Sequence, residues 1–395
     1  MLDCQGGFSY INRNRTGGIM ITRILENKIR EKLGSGKVIV LLGARQTGKT
    51  TLLNKMFGTD DTAIWLNGDE PEVRSLLHNI SSDRLRSIIG NKRTLIIDEA
   101  QRIEDIGLKL KLIADNIKNV QVVATGSSSF ELANRLNEPL TGRKWEYNIF
   151  PLSCAEITAH NGYIQERSLL KHRLVFGYYP EIVNNPGTEK ERLNELINSY
   201  LYKDLLIWGR LQKADSIIKL LQAIAFQIGN EVSYSELGRI IDADKQTVER
   251  YISLLEDCFI IFRLGAFSRN LRKEISKSRK IYFYDLGVRN ALINNFSPVD
   301  LRQDKGALWE NFIISERIKH TKYNNIWNSK YFWRTYTQQE IDYIEESDGE
   351  LSAYEFKWNK LSKKKIPDTF INEYKVKKAE IITPENYDGF VGITY

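Results

Sequence analysis

Between residues 20 and 150 the chain alternates between segments whose apolar residues recur every three or four positions and short runs that are apolar almost throughout. The first pattern reads as amphipathic helix, the second as buried strand. A helix is expected at 20–33, strands near 37–42, 62–66, 93–98 and 120–125, and helical stretches between them. Such alternation predicts a parallel sheet covered by helices on both faces, because parallel neighbours need a crossover and each crossover lays a helix on the sheet. Residues 1–19 carry neither period and read as a disordered extension or mis-called leader ahead of Met20.

Pro151 follows the strand-like run WEYNIF and marks a change of character. From 152 to 230 the pattern is mostly helical, with a long amphipathic stretch at 188–211, and reads as a helical lid or connector. In the next segment, 231–302, Ser233 to Glu236 form a capping box that opens a short helix. Asp242 to Asp244 supply a turn and N-cap, and 245–257 is a second helix with Val248, Tyr251, Ile252 and Leu255 on one face. Two apolar strands, 259–264 and 280–285, then flank a basic loop, an order that predicts a winged helix-turn-helix. From 303 to 395 a helix at 306–319 precedes strand-like runs at 331–335, 340–345, 351–356 and 379–382, a small α/β domain.

A length of 395 residues leaves room for this division, since single cores seldom grow past roughly 250–300 residues. With 42% hydrophobic and 27% charged residues the chain has the composition of a packed protein, not a disordered one. The net charge of +7 permits contact with a polyanion without requiring one. Cys4, Cys154 and Cys258 lie far apart, so no disulfide framework or zinc site is encoded, and a cytoplasmic location is expected. No apolar run approaches the roughly 18–20 residues needed to cross a bilayer, which argues against a membrane protein. The histidines, His78, His160, His172 and His320, sit in no nucleophile pattern.

The most specific chemistry comes directly after the first strand. Gly43, Ala44, Arg45, Gln46, Thr47, Gly48, Lys49 and Thr50 form GxxxxGKT, and Thr51 continues into a helix-compatible segment. Glycines let backbone amides turn inward around phosphates, and the helix N-terminus adds positive potential. Lys49 would reach the β/γ oxygens and Thr50 would ligate Mg²⁺, so ATP and Mg²⁺ are the expected ligands. The run TLIIDE then ends an apolar strand in Asp98, placed to hold the Mg²⁺ shell, and Glu99, placed to polarise water. Thr125 ends the next strand and either senses the γ-phosphate or caps the following helix. Arg143 is the candidate cation for developing phosphoryl charge, in cis or from a neighbouring subunit of an oligomer, against the plainer reading of a surface arginine.

The runs GARQTGKTTLL, LIIDEAQRI, ATGSSSFEL, LTGR and FPLSCAEI resemble the AAA-like ATPase domain of a large bacterial and archaeal group. GYYPEIV, YLYKDLL, YFYDLG and LWENF resemble that group's C-terminal region, whose function is uncharacterised. The likeness runs from about Met20 to the end. It implies an α/β fold with an AAA-like P-loop core, a helical lid, a winged helix and a restriction-endonuclease-like C-terminal domain. Glu340-Ile-Asp342 and Glu355-Phe-Lys357, with Glu310 on an earlier helix, look like a PD-(D/E)xK nuclease motif that has Ile341 where proline is frequent. On a hairpin, Glu355 and Lys357 share a face and can meet Asp342, where acids could hold Mg²⁺ and lysine could position water. Cross-strand ion pairs are the plainer reading.

DNA and a protein are the two candidate partners. Arg250 on the second helix and Arg269, Arg272, Lys273, Lys277, Arg279 and Lys280 around the wing could neutralise phosphates, as could Lys360 and Lys363 to Lys365. Two functions are open. One is an Mg²⁺-dependent ATPase coupled to nucleic-acid binding or processing; the other is a nucleotide-controlled switch whose C-terminal half binds a protein, with the acids merely structural.

Overall fold

The computed structural model describes residues 20–127, 140–198, 214–269, 278–359 and 365–394. The expected leader, residues 199–211 of the long amphipathic stretch, and Arg272, Lys273, Lys277, Lys360, Lys363 and Lys364 lie outside them.

Five strands, β1 (Val38–Leu42), β2 (Ala63–Asn67), β3 (Thr94–Asp98), β4 (Gln121–Gly126) and β5 (Lys144–Asn148), make the first sheet in the order β2-β3-β4-β1-β5. All its pairings are parallel. β1 is buried at every position and β3 at all but its last, as strands covered on both faces must be. Their apolar runs are continuous for that reason. β4 lies between β1 and β3, so the residues just past the ends of these three strands emerge side by side at one edge.

The second sheet is mixed: β6 (Ile261–Ala266), β7 (Arg279–Phe283), β8 (Ser329–Arg334), β9 (Glu340–Ser347), β10 (Glu350–Phe356) and β11 (Lys378–Ile382) lie in the order β11-β10-β9-β8-β6-β7. The expected hairpin of β9 and β10 is present, antiparallel. The expected wing is different. β6 and β7 do pair with each other, but β6 also pairs parallel with β8, so the hairpin forms one side of the larger sheet. Ile281, Tyr282 and Phe283 are all buried, on alternating faces, which a solvent-facing wing could not satisfy. Residue 302 therefore does not separate two sheets. The helices Tyr234–Ile241 and Lys245–Asp257 precede β6, each with the N-cap read from sequence: Ser233 accepts from Glu236 N and Asp244 from Thr247 N.

The runs GYYPEIV and YFYDLG meet in a docking lock. Asp285 accepts from Tyr178 N at 2.6 Å and from Val288 N at 3.1 Å. Asn290 donates to the carbonyls of Leu174 and Val175 at 3.0 and 2.8 Å. This leaves no room beside Gly287, where a Cβ would stand 2.1 Å from the Phe176 carbonyl oxygen. Gly287→Ala is expected to cost about 1–3 kcal/mol through forced backbone movement, and a thermal midpoint equal to that of the parent would refute the lock. Among the described residues no helix is long and apolar enough to cross a membrane.

Candidate nucleotide site and carboxylate cluster

The loop between β1 and the helix Lys49–Phe57 is shaped by two close approaches. A Cβ on Gly43 would lie 2.1 Å from the Ile149 carbonyl oxygen just past β5, so only glycine fits there. Gly48 caps the helix at φ +92°, a conformation that favours glycine. Within the loop Thr47 is fully buried and donates to the Ala44 carbonyl at 2.8 Å. Lys49 is buried as well, and its Nζ donates to the carbonyls of Gly43 at 2.9 Å and Ala44 at 2.8 Å. The ammonium is thus held inside the curve of the loop.

The acids of β3 stand next to it. Thr50 Oγ1 donates to Asp98 Oδ2 at 2.8 Å. The other oxygen of Asp98 accepts from Thr125 Oγ1, and Thr125 Oγ1 accepts from Glu99 N at 3.2 Å. The Thr125 hydroxyl therefore faces the acids from the intervening strand. Glu99 has φ +49°, an uncommon backbone for a non-glycine residue. Its carboxylate accepts from Gln101 Nε2 at 2.6 Å, and the same nitrogen lies 3.0 Å from Ser127 Oγ. The sequence does not single out Gln101, although it stands two positions after Glu99 in LIIDEAQRI. Its own signal is weak, because glutamine is common on surfaces.

Arg143 does not reach the loop within this chain. It immediately precedes β5, and Val38 N bonds to its carbonyl, so it sits where β1 and β5 begin. The phosphate loop lies where β1 ends, five residues and roughly 16 Å away along the strand. Its guanidinium is partly exposed and pairs with Asp115 at 2.7 Å. A role in cis at the β/γ-phosphates is excluded by that placement.

Similarity to known proteins bears on this loop and on the regions beyond it. Residues 35–158 match the model of an AAA domain. The AAA domain match takes in every strand of the first sheet, the phosphate loop, Asp98, Glu99 and Thr125. Beyond it, residues 167–299 match a domain of unknown function (DUF8612) and residues 305–389 another (DUF4143). An uncharacterized protein of Mycobacterium tuberculosis is 26% identical over 334 residues, covering 84% of this chain and 72% of that protein. An uncharacterized protein of Methanocaldococcus jannaschii is 23% identical over 334 residues, covering 73% of this chain and 70% of its own length. Among solved structures, the Walker-type ATPase of Pyrococcus abyssi aligns with a TM-score of 0.47 at 16% identity, over 68% of this chain and 94% of that one. The first third of the chain is thus similar to an AAA domain in sequence and carries a parallel sheet with a glycine-rich GxxxxGKT loop at the end of β1.

In the second sheet, Glu310, Asp342, Glu355 and Lys357 do come together. Asp342 Oδ2 accepts from Phe356 N at 2.8 Å and lies 3.5 Å from Lys357 Nζ, which is 2.6 Å from Glu355 Oε2. Glu310, on the helix Lys305–Tyr323, accepts from Tyr282 OH at 2.6 Å and from Lys280 Nζ at 3.1 Å. Lys280 also pairs with Glu340 at 2.7 Å. Lys280, expected at a phosphate-facing wing, is instead buried, because on the edge strand β7 it alternates with Ile281 and turns toward Glu310 and Glu340. Burial pushes the Glu310 carboxyl above its ordinary range, with Asp342 adding to the shift and Lys280 opposing it. Burial alone would lower the Lys280 ammonium, but Glu310, Glu340 and Asp342 outweigh it and hold it above its usual value. Among the described residues no group of three or more His, Cys, Asp or Glu side chains is placed to hold a metal ion. Lys357 bridges Asp342 and Glu355, and Lys280 bridges Glu310 and Glu340.

On the helix Lys245–Asp257, Lys245, Gln246, Glu249 and Arg250 are exposed. Arg269 is half exposed and paired with Glu346.

Proposed function

We propose that this chain binds ATP with Mg²⁺ at Gly43–Thr50, hydrolyses it, and couples the cycle to DNA contact through the helix pair ahead of the second sheet. The observation that carries the reading is the 2.8 Å bond from Thr50 Oγ1 to Asp98 Oδ2, which brings two hard oxygen ligands beside a buried lysine. Thr50 and Asp98 would hold Mg²⁺, which when bound neutralises charge on the β- and γ-oxygens. Lys49 exchanges its bonds to Gly43 and Ala44 for phosphate oxygens. Thr125 keeps Asp98 oriented through its second oxygen, and Glu99, steadied by Gln101, accepts a proton from the attacking water.

For DNA, the support is the exposed set Lys245, Gln246 and Arg250 on the second helix of the pair, together with the net charge of +7. The acids of the second sheet are engaged by Lys280 and Lys357. That same engagement favours a second reading, a nucleotide-controlled switch whose C-terminal half binds a protein while the acid cluster is structural.

The deciding experiment is Mg²⁺-dependent phosphate release with and without duplex DNA, alongside DNA binding at several salt concentrations. Glu99→Gln is expected to retain ATP binding and lose turnover. Arg250→Glu with Lys245→Glu is expected to weaken DNA binding about tenfold or more and to flatten its salt dependence. A wild-type protein indifferent to DNA at low salt, yet active on ATP, would remove the DNA reading and leave the protein switch.

A further inference from the structure

The phosphate loop is braced from outside the region matching the AAA domain. Arg23 precedes the helix Ile24–Lys32 and is 6% exposed, so its guanidinium meets protein, not water. Its Nη1 donates to the Thr47 carbonyl of the loop at 2.7 Å. Nη2 donates to the Phe150 carbonyl at 2.7 Å and to Tyr323 OH at 3.1 Å, and Tyr323 OH also accepts from Phe150 N at 3.1 Å. Nε donates to Glu156 Oε1 at 3.0 Å. Glu156 is held in turn: Ile24 N donates to the same oxygen at 2.9 Å, and Ser153 N donates to Oε2 at 2.9 Å in a capping box.

The bond to Thr47 has a geometric consequence for the next residue. A trans peptide is planar with its C=O and N–H pointing opposite ways, so fixing the Thr47 carbonyl toward Arg23 turns the Gly48 amide to the other side. Gly48 is the N-cap of the helix Lys49–Phe57, and its amide is among those that a P-loop presents to phosphate. Its φ of +92° requires that peptide to be held in a definite orientation. A lysine could not replace Arg23, because one ammonium on a flexible stem cannot span carbonyls and hydroxyl in a planar fork.

Resting on the ATP reading above, we infer that Arg23 is a positioning residue for the phosphate-binding amides, and that Tyr323, at the end of the helix carrying Glu310, completes its support. The nucleotide loop is then finished by a residue from the C-terminal region, and the 19-residue helix Lys305–Tyr323 joins it to the acid cluster.

The test uses the full-length chain and Mg·ATP, with the dissociation constant from calorimetry and KM and kcat from phosphate release. Because the braced amides serve bound ATP and the transition state alike, the loss falls on KM while kcat stays within about twofold. Tyr323→Phe removes one hydroxyl and raises Kd and KM about 3- to 10-fold. Arg23→Gln, if it folds, raises them about 10- to 100-fold by freeing the Thr47 carbonyl and unpairing Glu156. A Tyr323→Phe protein that binds Mg·ATP as tightly as wild type overturns the inference while leaving the ATP reading in place. Wild type without affinity for Mg·ATP overturns both.

Discussion

Lys49→Ala is expected to lower ATP turnover by about 10²–10³-fold or more, the usual scale for removing one preorganised charge from a phosphoryl-transfer site. The effect should be chemical, not a loss of fold. Lys49 Nζ touches the carbonyls of Gly43 and Ala44, which also belong to a loop held by Thr47 and by the tight packing of Gly43 on Ile149. Removing the ammonium therefore leaves the loop anchored while taking away a cation that can travel from those carbonyls to the β- and γ-oxygens. Phosphate release by purified wild type and variant, with far-ultraviolet circular dichroism to establish folding, measures this directly. Residual turnover within tenfold of wild type would mean that the loop does not cradle a triphosphate.

The phosphate loop is legible in the sequence because its chemistry is contiguous: Gly43–Thr50 are consecutive residues, and Asp98 ends a strand whose apolar run marks it unmistakably. Period-2 reasoning likewise brings Glu355, Lys357 and Asp342 together, since a hairpin with a short turn leaves little choice of register. Arg143 misleads for a reason that topology supplies. A residue that precedes a parallel strand lies at the opposite edge of the sheet from one that succeeds its neighbour, so nearness to a phosphate site cannot be judged from a loop's composition. The wing misleads differently. An apolar hairpin looks the same in sequence whether its outer face meets solvent or another strand, and only the parallel contact of Gly265 and Ala266 with Tyr331 and Phe332 distinguishes them. Arg23 has no sequence signal at all, because its partners lie 24, 127, 133 and 300 residues away.

Lys280 separates the two roles open to the acid cluster. With its side chain 2% exposed between Glu310 and Glu340, it pairs with both carboxylates, and burial disfavours the charge on Glu310. Lys280→Met keeps most of the side-chain volume and leaves those acids facing each other and Asp342 without it. Breaking a buried pair in this way costs about 3–5 kcal/mol, because the remaining charge stays desolvated. The thermal midpoint should therefore fall sharply at neutral pH. Adding Glu310→Gln should recover part of the loss, since the amide can still accept from Tyr282 OH and carries no charge to neutralise. Glu310 is the group whose carboxyl burial has raised, so at mildly acidic pH its protonation should narrow the gap between Lys280→Met and wild type. The sign comes from the raised value: proton uptake by the folded variant stabilises it as pH falls toward the carboxylate range. A Lys280→Met protein as stable as wild type across that range would mean that the lysine is not the counter-charge of the cluster, and the structural reading of these acids would lose its support.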